Sequence, residues 1–213
     1  MIRGFAVLLA LVVLAACATV PAKDYTKFNA AKPSSILVVP TVNRSVDITA
    51  SDYMLSTLSI PVAERGYYVF PVNLVKRVLE DDGLSDANLV HSASAEKLAS
   101  LFGADAVLYV TINRWDAQYF VLSTQVTVDV SYVVKDGKTG DMLWEHRQKM
   151  VYVPQNSGGH PIAMLITAAV NAAITKMAPN YMPLARQANA QTFAYPGPGI
   201  PPGVYAKEEG AAK

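Results

Sequence analysis

Ala106-Val-Leu-Tyr-Val-Thr-Ile112 and, after a short interval, Gln125-Val-Thr-Val-Asp-Val-Ser-Tyr132 decide the fold class. The first run is apolar everywhere except Thr111. A strand reads that way when both of its faces are covered. The second run alternates: Gln125, Thr127, Asp129 and Ser131 point one way, Val126, Val128, Val130 and Tyr132 the other. That is a strand with one wet face. Asp136-Gly-Lys-Thr-Gly140 then makes a turn. Met142 to Val153 returns with Met142, Trp144, Met150 and Tyr152 on one face and Glu145, Arg147 and Lys149 on the other. The pair predicts an antiparallel hairpin. His146 and Gln148 fall on the apolar side, so the returning strand is expected to be frayed or bulged at its middle.

Upstream, Ser35-Ile-Leu-Val-Val-Pro40 is a buried strand and Tyr67 to Val72 another. Between them Met54, Leu55, Leu58 and Val62 share one helical face, with Ser51 or Asp52 as cap and Gly66 as stop. Pro61 is expected to kink that helix or mark its first break. Leu74, Val75, Val78 and Leu79 predict a second helix, capped by Asn73 and ended by Asp81-Asp82-Gly83. Ser94 caps a third, with Glu96 where the helix dipole favours an acid, and Gly103 closes it. Near the end, Pro161 opens a helix whose Ile162, Leu165, Ile166, Ala169, Val170, Ala173, Ile174 and Met177 keep the period. The order β-α-β-α-α-β-β-β-α predicts a single α/β (α+β) domain over residues 34–182. It is a mixed β-sheet of about five strands with helices packed on it. Residues 183–213, Pro/Gly-rich from Tyr195, are expected to form an extended tail that buries little.

The first 33 residues read differently. After Arg3, Gly4 to Ala16 is a 13-residue run with no charged side chain. A membrane span needs roughly 18 residues, a signal-peptide core about 7–15. The run ends in Leu14-Ala-Ala-Cys17, a lipobox. Residues 1–16 are therefore expected to be a signal peptide, Cys17 the lipidated residue and 17–33 a tether. An ordinary Ala-x-Ala cleavage site with a chance cysteine is the competing reading. Cys17 is the one cysteine in 213 residues, and a lone thiol in an oxidising compartment is a liability that lipidation removes. Two or more acyl chains anchor a protein stably. Ala18, in place of Asp, matches the sorting rule of enteric bacteria for the outer membrane, periplasmic side.

Without residues 1–16 the chain has 17 basic and 17 acidic residues. No basic stripe for a nucleic acid is expected. Gly137-Lys-Thr139 is not a phosphate loop, because Tyr132 stands where its first glycine is needed. His91, His146 and His160 lack metal-ligand spacing, and Ser157 lacks the Gly-x-Ser-x-Gly setting of a nucleophile. No catalytic, metal or cofactor site is expected, and the domain is read as a non-enzyme. The candidate partner contact is Asn113-Arg114-Trp115, since Trp and Arg dominate binding hot spots. The competing reading has Trp115 capping the core and Arg114 solvated. A ligand pocket near Asn113, Arg114 and Asn43, and a homodimer through the Ala-rich last helix, are the alternatives.

Several stretches resemble one family. They are the lipobox, Ser35-Ile-Leu-Val-Val-Pro-x-x-Asn43, Glu64-Arg-Gly-Tyr-Tyr-Val-Phe-Pro-Val72, Gly103-Ala-Asp-Ala106 leading to Asn113-Arg-Trp115, and Lys135-Asp-Gly-Lys-Thr-Gly140 followed by Leu143-Trp144. The family is that of proteobacterial outer-membrane lipoproteins of unassigned function, including a neisserial surface antigen. More distantly the chain resembles the curli-export lipoprotein, the lipoprotein activators of peptidoglycan synthases and the amino-terminal domain of the Tol propeller protein. The resemblance implies a small α/β domain for contacts with envelope proteins, a curli-export-like lipoprotein among them. It carries over no catalytic residue.

Overall fold

The computed structural model describes residues 23–120, 123–152, 182–194 and 197–206, with side chains described for these except at 117–120, 123–125 and 152. The expected signal peptide, Cys17, Ser157, His160 and the helix expected from Pro161 lie outside the described residues.

Twelve elements are described, in the order α1 (Thr26–Ala31), β1 (Ser35–Val38), β2 (Val42–Asn43), α2 (Ala50–Glu64), β3 (Tyr68–Val69), α3 (Val72–Asp81), α4 (Ala87–Ser92), α5 (Ala95–Phe102), β4 (Ala106–Phe120), β5 (Ser123–Asp136), β6 (Met142–Tyr152) and α6 (Met182–Phe193). The strands lie in one mixed sheet, β3-β1-β4-β5-β6, with the short β2 also on β4. β3, β1, β2 and the first half of β4 run parallel. β4, β5 and β6 are an antiparallel meander. The expected mixed α+β sheet is what the chain forms.

Two buried clusters explain this arrangement. On one face α1, α2 and α6 set Phe28, Met54, Leu58, Leu184 and Phe193 against Ile36, Leu108, Val130 and Trp144. On the other, α3, α4 and α5 bring Val75, Leu79, Val90 and Leu98 onto Leu37, Val39, Val107 and Tyr109. Consecutive residues of β1 and β4 thus enter opposite cores, as continuous apolar runs require. Asp105 latches the two strands together at their start. Its carboxylate accepts from the backbone N–H groups of Ser34 and Ser35 at 3.0 and 3.1 Å and from both hydroxyls. Burial pushes its pKa up, but these four donors outweigh it and hold the carboxyl below its ordinary value.

Local signals mostly behave as the residues dictate. Ser94 Oγ accepts from Lys97 N–H at 3.3 Å and Gly103 ends α5 at φ +70°. In the β5–β6 turn the Asp136 carboxylate accepts from the N–H groups of Lys138 and Thr139. Gly137 is required there because an added Cβ would lie 2.7 Å from the Ala99 Cβ.

Three expectations are corrected. Pro61 does not break α2, which runs on to Glu64. Pro61 forfeits the hydrogen bond to the Thr57 carbonyl and crowds it, and the helix continues past it with Leu58 and Val62 buried on either side. β6 is neither frayed nor bulged at His146, which pairs with Tyr132 in an unbroken ladder. The irregularity lies at the strand's start, between Val134 and Lys135 on β5. His146 tolerates the inner face because its Nε2 meets Gln148 Oε1 at 3.2 Å and its ring stacks on Trp144. Finally, the tail expected from residue 183 is not extended over Met182–Phe193. That stretch is α6, and Leu184, Ala185, Ala188 and Phe193 are buried. Beyond it, residues 197–206 form a strap whose Ile200 is buried in the first core.

Candidate functional site

The candidate contact Asn113-Arg114-Trp115 sits at a β-bulge. Ile112 pairs with Val130 and Arg114 with Asp129, which leaves Asn113 as the extra residue of β4. Along a regular strand, Trp115 would face away from Ile112, because the two are three positions apart. The bulge restores it to the same side. Trp115 is consequently 1% exposed, in the core with Ile112 and Val128. The three residues therefore do not form one surface. Trp115 caps the core, and Asn113 and Arg114 belong to the opposite, wetter face.

On that face the charges interlock. Asn113 Nδ2 donates to Ser131 Oγ at 2.7 Å and to Asp129 Oδ1 at 3.3 Å. Arg147 grips the same carboxylate with both prongs, Nε to Oδ1 at 2.8 Å and Nη2 to Oδ2 at 2.7 Å. Lys149 stands 3.9 Å from Oδ2. The Arg147 hydrogen bonds, with help from Asn113, hold the Asp129 carboxyl below its ordinary pKa against the opposing effect of burial. Arg114 pairs with Asp116 at 2.7 Å. Asp129 lies opposite Arg114 on β4 and Lys149 on β6, so charge alternates in sign across the three strands. Glu145, Arg147, Lys149 and Val151 are exposed.

Asn43 does not join this group. Its amide donates to Asp47 O at 2.6 Å, and its Oδ1 accepts from Ser45 N–H and Oγ, closing the loop after β2. A shallow groove of about 410 Å³ runs along the strands, lined by Ser131, Tyr132, Val133, Glu145, His146 and Arg147. None of Asn43, Asn113 and Arg114 lines it. His91 is a structural residue. Its Nε2 meets Pro40 O at 3.0 Å, its ring packs edge-on against Tyr109, and burial lowers its pKa. Among the described residues no cluster of three His, Cys, Asp or Glu gathers that could hold a metal.

The sequence reading missed a polar thread inside the core. Tyr132 Oη donates to Asn189 Oδ1 at 2.8 Å, and Asn189 Nδ2 donates to Thr57 Oγ1 at 2.8 Å. Thr57 Oγ1 lies 2.9 Å from Tyr53 O, within reach as a donor. Tyr132 and Asn189 are fully buried. Desolvation drives the Tyr132 phenol far above its ordinary pKa. The thread ties β5 to α6 and α6 to α2, which fixes where α6 sits. Its signal was available: Leu184, Ala185, Ala188, Thr192 and Phe193 keep a helical period. The small residues and the Pro/Gly-rich neighbourhood concealed it.

Comparison with known proteins agrees with the expected kinship. Residues 23–199 match the family described as "Putative lipoprotein GNA1162-like". The chain is 36% identical over 173 residues to "Putative lipoprotein NMB1124/NMB1162" of Neisseria meningitidis serogroup B, covering 80% of this chain and 79% of that protein. The crystal structure of lipoprotein GNA1162 from Neisseria meningitidis superposes with a TM-score of 0.57 at 35% identity, over 68% of this chain and all of that one. The chain belongs to the GNA1162-like lipoprotein family, and so among the lipid-anchored proteins of the cell envelope.

Proposed function

We propose that this protein is anchored through lipidated Cys17 to the periplasmic side of the outer membrane. There its domain binds other proteins of an envelope assembly, secretion or transport complex, and acts by contact rather than catalysis. The observation that carries this reading is the outer face of the β4–β6 meander. Among the described residues α5 covers only its end at Tyr109 and Val133, and beyond that Glu145, Arg147, Lys149 and Val151 are exposed. It presents a cross-strand lattice of opposite charges rather than a deep cavity. Such a surface suits a polar, charge-complementary protein partner, which it would orient more than grip. The membership in a lipoprotein family supports the anchor.

The test is photo-crosslinking in cells from positions 114 and 149, on the exposed face. Trp115 is unsuitable because it is buried. The expected result is recovery of specific envelope proteins from both positions and from neither when Cys17→Ser keeps the protein off the membrane. A correctly lipidated protein that crosslinks to nothing from either position would overturn the reading.

A further inference from the structure

The two ends of the described chain are fastened to each other. Lys23 Nζ donates to Glu145 O and, at 3.3 Å, to Pro198 O, and lies 4.4 Å from the centre of the Trp144 ring. Pro198 O also accepts from Trp144 Nε1 at 2.9 Å. The Tyr25 hydroxyl donates to Gly199 O at 2.6 Å. Phe28 of α1 is buried edge-on against Tyr67, whose hydroxyl donates to Pro201 O at 2.6 Å. The strap is pinned in its turn by Gly203 N–H to Arg65 O at 2.7 Å and Tyr205 N–H to Gly66 O at 3.0 Å. Gly66 has φ +85°, and an added Cβ would lie 2.1 Å from Ala206 N. That close approach requires glycine.

We infer that this clasp sets the distance between the domain and the bilayer: the C-terminal strap holds the N-terminal tether at Lys23 and Tyr25, so only residues 18–22 are left to span from the lipid. The inference rests on the anchoring at Cys17 proposed above. Six Cα steps from Cys17 to Lys23 reach at most about 20 Å at roughly 3.5 Å each. With the clasp open, the first firm hold is Phe28 in α1, and nine extended steps to Thr26 plus two helical ones reach about 35 Å. Residues some 174 positions away along the chain therefore govern the length of the anchor. Partners are met inside a thin layer above the membrane while the clasp is shut, and in a deeper one when it opens.

The experiment uses full-length lipidated protein on supported bilayers of phosphatidylethanolamine and phosphatidylglycerol. Neutron reflectometry reads the gap between headgroups and protein. The wild type should begin within about 20 Å of the headgroups, and the Lys23→Ala/Tyr25→Phe variant should reach out to about 35 Å. Gly199→Val should give the same shift without altering the tether, because an added Cβ there would lie 2.4 Å from Phe193 O and displace the strap. A single cooperative thermal transition shows that each variant stays folded, at a lower midpoint in Gly199→Val because Ile200 leaves the first core. An equal gap in all three proteins overturns the inference. If no protein binds the bilayer and mass spectrometry finds Cys17 unacylated, the anchoring reading fails instead. The clasp is then decided by limited proteolysis within residues 18–27: faster cleavage of both variants supports it, and equal cleavage overturns it.

Discussion

The parallel and antiparallel halves of this sheet solve the same problem in different ways. In the parallel half, Leu37 and Val107 face one core while Ile36 and Leu108 face the other, and β1 is buried along its whole length. On β5, in the antiparallel half, Val126, Val128, Val130, Tyr132 and Val134 enter the first core, while Thr127, Asp129 and Ser131 between them carry charge or a hydroxyl. The first half has its surface spent on stability. Among the described residues the second leaves the stretch around Glu145, Arg147 and Lys149 exposed, and substitutions there disturb the fold least.

The contrast can be broken most forcefully by removing buried volume. Leu108→Ala should cost about 2–5 kcal/mol in chemical denaturation, whereas Thr127→Ala on the wet face should stay within about 0.5 kcal/mol. Comparable losses at both positions would mean that the outer face is covered after all. The polar thread comes next. Asn189→Ala takes from the buried Tyr132 hydroxyl its 2.8 Å acceptor, while Thr57 keeps the Tyr53 carbonyl, and should cost about 1–3 kcal/mol. The same change in a Tyr132→Phe background should cost less, because the stranded hydroxyl is gone; a double-mutant cycle measures the difference. An additive cycle would show that the thread does not position α6.

The smallest effect concerns the charge lattice. Asp129→Asn should cost about 1 kcal/mol or less at neutral pH, since Arg147 and Lys149 remain solvated. Its folded pKa lies below the unfolded value, so its contribution is full above about pH 4 and fades as pH falls through the folded pKa. The gap between wild type and Asp129→Asn in urea midpoint should therefore close on acidification. A gap that persists at low pH would show that the side chain acts through packing rather than charge.

Much of this was legible because it depends on period. The alternation from Gln125 to Tyr132 gave the hairpin and its wet face, and the unbroken runs at Ile36 and Ala106 gave strands covered on both sides. Ser94 and Gly103 marked α5 by their own chemistry. What stayed hidden depends on partners distant in sequence. Nothing near Trp115 announces that Asn113 bulges, so the sequence left Trp115 open between a partner contact and a cap on the core, and the fold makes it the cap. Nothing near Pro198 announces that its carbonyl will meet Lys23 and Trp144, and a Pro/Gly-rich stretch looked like a tail. Asn189 fell within the expected tail, and nothing beside it announces that Tyr132 and Thr57 will meet it in the core.

The bulge at Asn113 also sets the parity of β4. Before it, even-numbered residues point into the first core: Leu108, Val110 and Ile112. After it an odd-numbered one does, Trp115. The strand thus carries a frameshift without any change in its neighbours' numbering. A relative with a regular strand would align to this one only with a single-residue gap at that point. Anyone transplanting the far end of the hairpin onto another sheet must carry Asn113 with it, or every side chain beyond would arrive inside out.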